Sequence, residues 1–145
     1  MNTDPKLKNQ RLTAIETVVS DMSRFKQGRA RQKLVQATKP ASLLQIIDSS
    51  TQVKLTQGKR EVTVPTNGQL GTIKGDKISA EVISGKRDGK LIVVTKTANA
   101  THTCVYQLSD DGQNLSQQVH IQSSQLSKTI RFTNQFSRQT ITESN

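Results

Sequence analysis

KLIVVTKTANATHTCVYQLSDDGQNLSQQVHI, residues 90–121, decides how the chain is read. Leu91, Val93 and Thr95 fall on a period of two, as do Cys104, Tyr106 and Leu108. An Asp-Asp-Gly-Gln turn then leads into Leu115, Gln117, Val119 and Ile121. A period of two marks strands with one buried face, and Asp-Gly between such runs is a strong hairpin signal. The stretch therefore predicts consecutive antiparallel strands turned towards a common core.

The same period extends outward on both sides. Towards the C-terminus, Ile130, Phe132, Asn134 and Phe136 make a last strand, and residues 139–145 read as a frayed tail. Upstream come Leu44/Ile46, Val53/Leu55, the Gly58-Lys59 loop, Val62/Val64, and Pro65 with Asn67-Gly68 as a stop. Ile73 follows between Gly71 and Gly75, then Ile78/Ala80/Val82 before a Lys86-Arg-Asp-Gly89 turn. Because a one-residue slip sends every side chain to the wrong face, register is open to matching. Apolar matching pairs Leu44 with Leu55, Ile46 with Val53, Leu55 with Val62, Val53 with Val64 and Val82 with Val93. It also sets Leu108 against Leu115, Cys104 against Val119 and Tyr106 against Gln117. The expected fold over residues 42–138 is an antiparallel up-and-down β-barrel, or a curled half-barrel, of eight or nine strands. A two-layer β-sandwich is the alternative.

Ahead of these strands the period changes. Asp4 and Pro5 read as N-cap and first helical position, and Leu12, Ile15, Val18, Val19, Met22 and Phe25 recur at helical spacing. The capping-box pattern Thr13-Ala-Ile-Glu16 offers a later start at Thr13. Gly28 is expected to break the first helix, and Ala30, Leu34 and Ala37 to mark a second that stops before Pro40. Residues 4–39 thus form an αα-hairpin that caps the barrel. The fold class is mainly β with N-terminal helices (α+β), in one domain spanning residues 1–145.

Composition narrows the function classes. Hydrophobic residues make up 32%, with no Trp, one Tyr and three Phe, so the core must be aliphatic. Lys and Arg number 21 against 11 Asp and Glu, a basic balance that attracts anionic partners. Lone Cys104 excludes an internal disulfide. No apolar run approaches the ~20 residues of a membrane-spanning helix. The opening Met1-Asn2-Thr3-Asp4-Pro5 reads as a start Met on a mature export product, which favours a bacterial periplasmic or envelope location over the cytoplasm.

No catalytic residue is expected. The chain has no G-x-S-x-G elbow and no G-x-x-x-x-G-K-[ST] loop. Asp110-Asp111 falls in a turn, where acidic residues are common. His102, Cys104 and His120 lie on adjacent strands. The register that matches apolar faces sets Cys104 opposite Val119 and turns His120 outward, which takes a metal site apart. Neither a metal nor a cofactor is expected.

Residues 85–112, GKRDGKLIVVTKTANATHTCVYQLSDDG, resemble the C-terminal hairpins of lipocalin-like and fatty-acid-binding barrels, the calycin group. Those hairpins carry D-G-K-L, a β-branched run, a small loop and T-R-V-Y. Asp88-Gly89-Lys90-Leu91 and Thr103-Cys104-Val105-Tyr106 stand in those places. The segment Tyr106 to Gly112 is similar to the Y-x-L-S-x-D-G of bacterial lipocalin-like domains of unknown role. The resemblance implies a small barrel around an interior cavity for one lipid-like ligand. Three features depart from it: Cys104 replaces the carboxylate-anchoring Arg of fatty-acid-binding proteins, the helices precede all the strands, and more strands follow Tyr106.

Two sets of residues are candidates for binding. Thr95, Tyr106, Gln117 and Asn134 point inward by alternation among Val93, Leu108, Val119, Ile130, Phe132 and Phe136. Buried amides and hydroxyls are costly unless paired, so they must bond one another, water or an amphipathic ligand. The leading expectation is a non-enzymatic lipocalin-like barrel binding a small apolar or amphipathic molecule. The alternative is an interaction protein that uses Arg24, Lys26, Arg29, Arg31 and Lys33 on an anionic partner, the barrel being its scaffold. Scarce aromatics argue against single-stranded nucleic acid, which needs stacking platforms, and leave duplex binding through phosphate contacts alone as an open alternative. Next to Met22 and Phe25 the same cations suit an anionic membrane surface, at roughly 1 kcal/mol each.

Overall fold

The strands form in two antiparallel sheets, of four strands (β1–β4) and five (β5–β9), preceded by two helices. The computed structural model describes residues 5–38, 43–49, 51–74, 80–124 and 126–138. The expected N-cap Asp4, the stop at Pro40, the inward Ile78 and the tail at 139–145 lie outside the described residues.

Helix α1 spans Pro5–Val19 and α2 spans Arg24–Ala37. The start at Thr13 is therefore not used. Ile15, Val18 and Val19 are buried, as their spacing requires. Gly28 does not end a helix but lies inside α2; the break comes at Ser20–Ser23. There the Gln27 side-chain amide donates to the Met22 carbonyl at 3.0 Å. The break resets the helical phase, so Phe25 is not part of the buried stripe as its spacing suggested. It stands 96% exposed. Arg11 is buried and joins the helices, with Nη1 donating to the Val35 carbonyl and to Thr38 Oγ1, each at 3.1 Å. A cation thus sits on the C-terminal carbonyls of α2, the favourable end for positive charge. Arg31 and Glu16 form a second, exposed cross-link.

The sheets are built from hairpins. β1 is Leu44–Asp48, β2 Gln52–Gln57, β3 Arg60–Pro65 and β4 Thr72–Lys74. In the second sheet β5 is Glu81–Arg87, β6 Lys90–Lys96, β7 Ala100–Leu108, β8 Asn114–Ser123 and β9 Ile130–Ser137. Leu55 meets Val62, Val53 meets Val64, Cys104 meets Val119, Tyr106 meets Gln117 and Leu108 meets Leu115, the registers that apolar matching selects. Two hairpins differ by two residues while keeping their faces. Ile46 pairs with Leu55 rather than Val53, because Ser49 closes the turn on Gln52 through both its N–H and its hydroxyl (2.9 Å each). Ser84, not Val82, meets Val93. Asp88 and Gly89 both adopt positive φ (53° and 76°), the geometry of a two-residue hairpin turn, and this fixes Arg87 against Lys90.

One interior is shared by both sheets. Val53, Leu55, Val62 and Val64 of the first pack with Val82, Val93 and Tyr106 of the second. The remainder of the second sheet's inner face, Val119, Ile121, Ile130 and Phe132, is covered by Val18 of α1, with Met22 and Leu34 at its margin. The Gln10 side chain also accepts from the Thr133 backbone N–H of β9 at 3.2 Å, satisfying an edge-strand donor. Between the sheets, the Gly71 N–H donates to the Val82 carbonyl and the Ser84 hydroxyl to the Pro65 carbonyl, both at 2.8 Å. No ladder joins β4 to β5 among the described residues. Gly71 is held by close approach: a Cβ there would strike the Thr63 carbonyl oxygen and stand 2.7 Å from Val64 Cα.

Candidate functional site

Two places combine chemistry with position: a polar chain inside the sheets and the outer face of α2.

The inner chain follows from strand parity. Tyr106, Gln117 and Asn134 occupy facing positions on β7, β8 and β9. Asn134 Nδ2 donates to Gln117 Oε1 at 2.9 Å, and Gln117 Nε2 donates to the Tyr106 hydroxyl at 3.0 Å. The hydroxyl also receives Gln57 Nε2 from the opposite sheet at 3.5 Å, the weakest link. All three members on the second sheet are buried. Burial pushes the Cys104 thiol up to about 11 despite the Tyr106 hydrogen bond, so it stays protonated and unreactive at neutral pH. Burial likewise raises the Tyr106 phenol, with Cys104 adding to the effect. His102 lies on the same face, and burial, then the positive charge of Arg60, lowers its pKa and favours neutral imidazole.

The other residues expected to line a ligand site divide between the two core clusters. Val93 packs with Tyr106 in one, Val119 with Phe132 in the other, and Cys104 touches both. Thr95 is half-buried, set between Val82 and His102. Sequence reasoning missed Gln57 and Arg60, which reach this region from the other sheet, where strand pairing gives no signal. Cys104 faces Val119, Thr103 faces His120 and His102 faces Ile121. Among the described residues, no group of three or more His, Cys, Asp or Glu is placed to hold a metal.

On α2, Arg24, Lys26, Arg29 and Lys33 are exposed, and the helix carries no acidic residue. Neighbouring carboxylates are committed elsewhere. The Arg31 hydrogen bond holds Glu16 below the usual carboxylate range. Asp21 is lowered by the Ser127 hydroxyl at 2.9 Å and by Lys128 at 3.5 Å. Among the described residues, none of the four exposed cations has an ion-pair partner. Arg31 is the exception within the expected cluster, less exposed than these four and paired with Glu16. Phe25 stands among them; the next most exposed large apolar side chain among the described residues, at 62%, is Leu108, which alternation places inward but which lies at the end of β7 beside the turn and is not covered.

A depression of about 350 Å³ lies on the outer face of β7–β9, between Gln107, Leu108, Ser116 and Gln135. Asp111 in the nearby turn accepts from the Ser109 hydroxyl (2.5 Å) and the Gln113 N–H (3.0 Å), bonds that lower its pKa and identify it as a turn former. No described helix is long and apolar enough to cross a membrane.

No family model matches the chain, nor does any curated protein or solved structure.

Proposed function

We propose that this chain is a non-enzymatic interaction protein in which the two-sheet body carries the outer face of α2 to an anionic partner. One observation carries the reading: four exposed cations that have no ion-pair partner among the described residues share that helix with an unpacked aromatic ring. The interior supports it less directly. The polar groups that would greet a ligand are already bonded to one another, and their apolar neighbours are packed into continuous clusters.

Elution from a polyanion column such as heparin tests the proposal. Changing Arg24, Lys26, Arg29 and Lys33 to Ala should bring elution to lower salt. Changing Lys59, Lys74, Arg87 and Lys96, which are also exposed, to Ala removes equal charge and should shift elution less. Equal shifts would mean that net charge alone acts, and the surface would lose its claim.

A second reading is kept by the shared interior. In it the two sheets curl as a lipocalin-like half-barrel about a small amphipathic ligand. Thr95, Tyr106, Gln117 and Asn134 would supply polar contacts, and Val93, Val119 and Phe132 apolar ones. The Gly71–Val82 and Ser84–Pro65 bonds support the curl. Native mass spectrometry of the purified protein and uptake of a fluorescent apolar probe test it; a bare mass with no uptake ends it. A periplasmic or envelope location is part of this reading, and cell fractionation checks it.

A further inference from the structure

We infer that the partner of α2 is a bilayer surface rich in acidic phospholipid, entered by the Phe25 ring while the flanking cations hold the headgroups. This rests on the anionic-surface reading above and names its partner.

The helix geometry supplies the argument. Leu34, on the core side of α2, follows Phe25 by nine positions, so at about 100° per residue the two point in opposite directions. Phe25 therefore stands at the outward crest. Arg29 lies about 40° from that crest and about 6 Å along the axis. Lys33 lies about 80° away and about 12 Å along, and Arg24 and Lys26 flank the ring at about 100° on either side. Position 28, a turn beyond Phe25, is glycine with open space around it, so no side chain there covers the ring. The body fixes this presentation through Arg11 on Val35 and Thr38, and Arg31 on Glu16.

The chemistry then selects among anionic partners. A phosphate-bearing duplex or an acidic protein surface satisfies the cations but gives a lone, projecting phenyl ring no apolar medium. An acidic bilayer provides charge at its surface and hydrocarbon a few ångströms deeper, and an aromatic with several cations matches that order. Neither signal suffices alone: four cations give a salt-sensitive attraction, and one ring gives shallow anchorage. Together they make a reversible peripheral contact.

The full chain has no Trp, so Phe25→Trp provides a single spectroscopic reporter. Vesicles of phosphatidylcholine mixed with phosphatidylglycerol should shift its emission to the blue, and brominated acyl chains should quench it. Pure phosphatidylcholine should do neither. Phe25→Ser should weaken binding to the mixed vesicles about tenfold, and each of Arg24→Ala, Lys26→Ala, Arg29→Ala and Lys33→Ala about fivefold at low salt. Phe25 is fully outside the core, so unchanged urea unfolding of these variants confirms an intact fold. Vesicle binding without quenching and without dependence on Phe25 overturns the insertion and leaves the anionic-surface reading standing. Binding to duplex DNA with the same dependence on Phe25 overturns the choice of partner. Failure to bind vesicles, heparin and DNA alike removes both proposals together.

Discussion

Replacing Gln117 by Leu tests whether the polar chain inside the sheets is self-sufficient. The carboxamide makes two bonds at once, accepting from Asn134 Nδ2 at 2.9 Å and donating to the Tyr106 hydroxyl at 3.0 Å. Leu is close in size, so little cavity arises, and the cost comes from stranded partners. One Asn134 N–H loses its acceptor in a buried setting, worth about 1–3 kcal/mol. The Tyr106 hydroxyl loses its best donor and keeps only Gln57 at 3.5 Å. Against this, an apolar side chain in place of a buried amide returns about 1 kcal/mol. The net expectation is a destabilisation of about 2 kcal/mol. With a urea m-value of about 2 kcal/mol/M for a domain of this size, the midpoint falls by about 1 M at constant m.

Tyr106→Phe strands the Gln117 Nε2 group and should cost about 1–2 kcal/mol. The double variant loses both ends of the 3.0 Å bond together, so it should cost less than the sum of the singles by about 1 kcal/mol. Two results refute the reasoning. Additivity within about 0.5 kcal/mol means the two groups do not depend on each other. A neutral Gln117→Leu means that water or a bound molecule satisfies these groups in solution, which would strengthen the ligand-binding reading at the expense of the packed interior.

Glycine surroundings, a buried thiol and a buried guanidinium each give a measurable outcome. Gly28→Ala and Gly71→Ala should have opposite signs. At Gly28, inside α2 with nothing near the added methyl, Ala gains about 0.5–1 kcal/mol, whereas at Gly71 it meets the β3 backbone and loses about 2 kcal/mol or more; paired thermal melts decide it. Stability should fall as pH rises from about 9 to about 11, because the unfolded chain gives up the Cys104 proton before the folded one does. The full difference is roughly 3 kcal/mol, and Cys104→Ala should flatten the early part of that limb in urea titrations, leaving the later part that buried Tyr106 contributes in the same direction. Arg11→Met should destabilise by about 1–3 kcal/mol by uncapping α2 at the Val35 carbonyl and Thr38; a melt unchanged by the substitution contradicts that role.

The strands were legible because alternation, once one face is buried, leaves few registers. Apolar matching is nevertheless degenerate in steps of two, since such a slip keeps every side chain on its face. Where the turn matched the pattern, as at Gly58-Lys59 and between Leu108 and Leu115, the register came out right. Where turn chemistry overruled it, as at Asp88-Gly89, the pairing moved by two. The helices were harder. Met22 continues the spacing of Ile15 and Val18 from inside the Ser20–Ser23 break, so periodicity alone carries the helical phase past it and predicts a buried Phe25. At the site, the Tyr106–Gln117 pair was readable from one hairpin. Gln57 and Arg11 were not, because their partners belong to other elements far along the chain: Arg11 to Val35 spans 24 residues, and Gln57 to Tyr106 spans 49.

The two sets of candidate residues respond differently to folding. An inward polar residue is visible in sequence but ambiguous in purpose. The same alternation places it whether it meets a ligand or a neighbouring amide, and here the neighbours are close enough to satisfy it. A surface residue behaves in the opposite way. The cations of α2 are conspicuous in sequence yet carry no argument until counterions are accounted for, and Phe25 carries none until its phase is known. Once Glu16 and Asp21 are committed to Arg31, Ser127 and Lys128, the remaining α2 cations have no ion-pair partner among the described residues. The ring beside them also lacks packing contacts that would explain its apolar character. Their coincidence on one helix, held by Arg11 and Arg31, is the observation on which the proposal of an external partner rests.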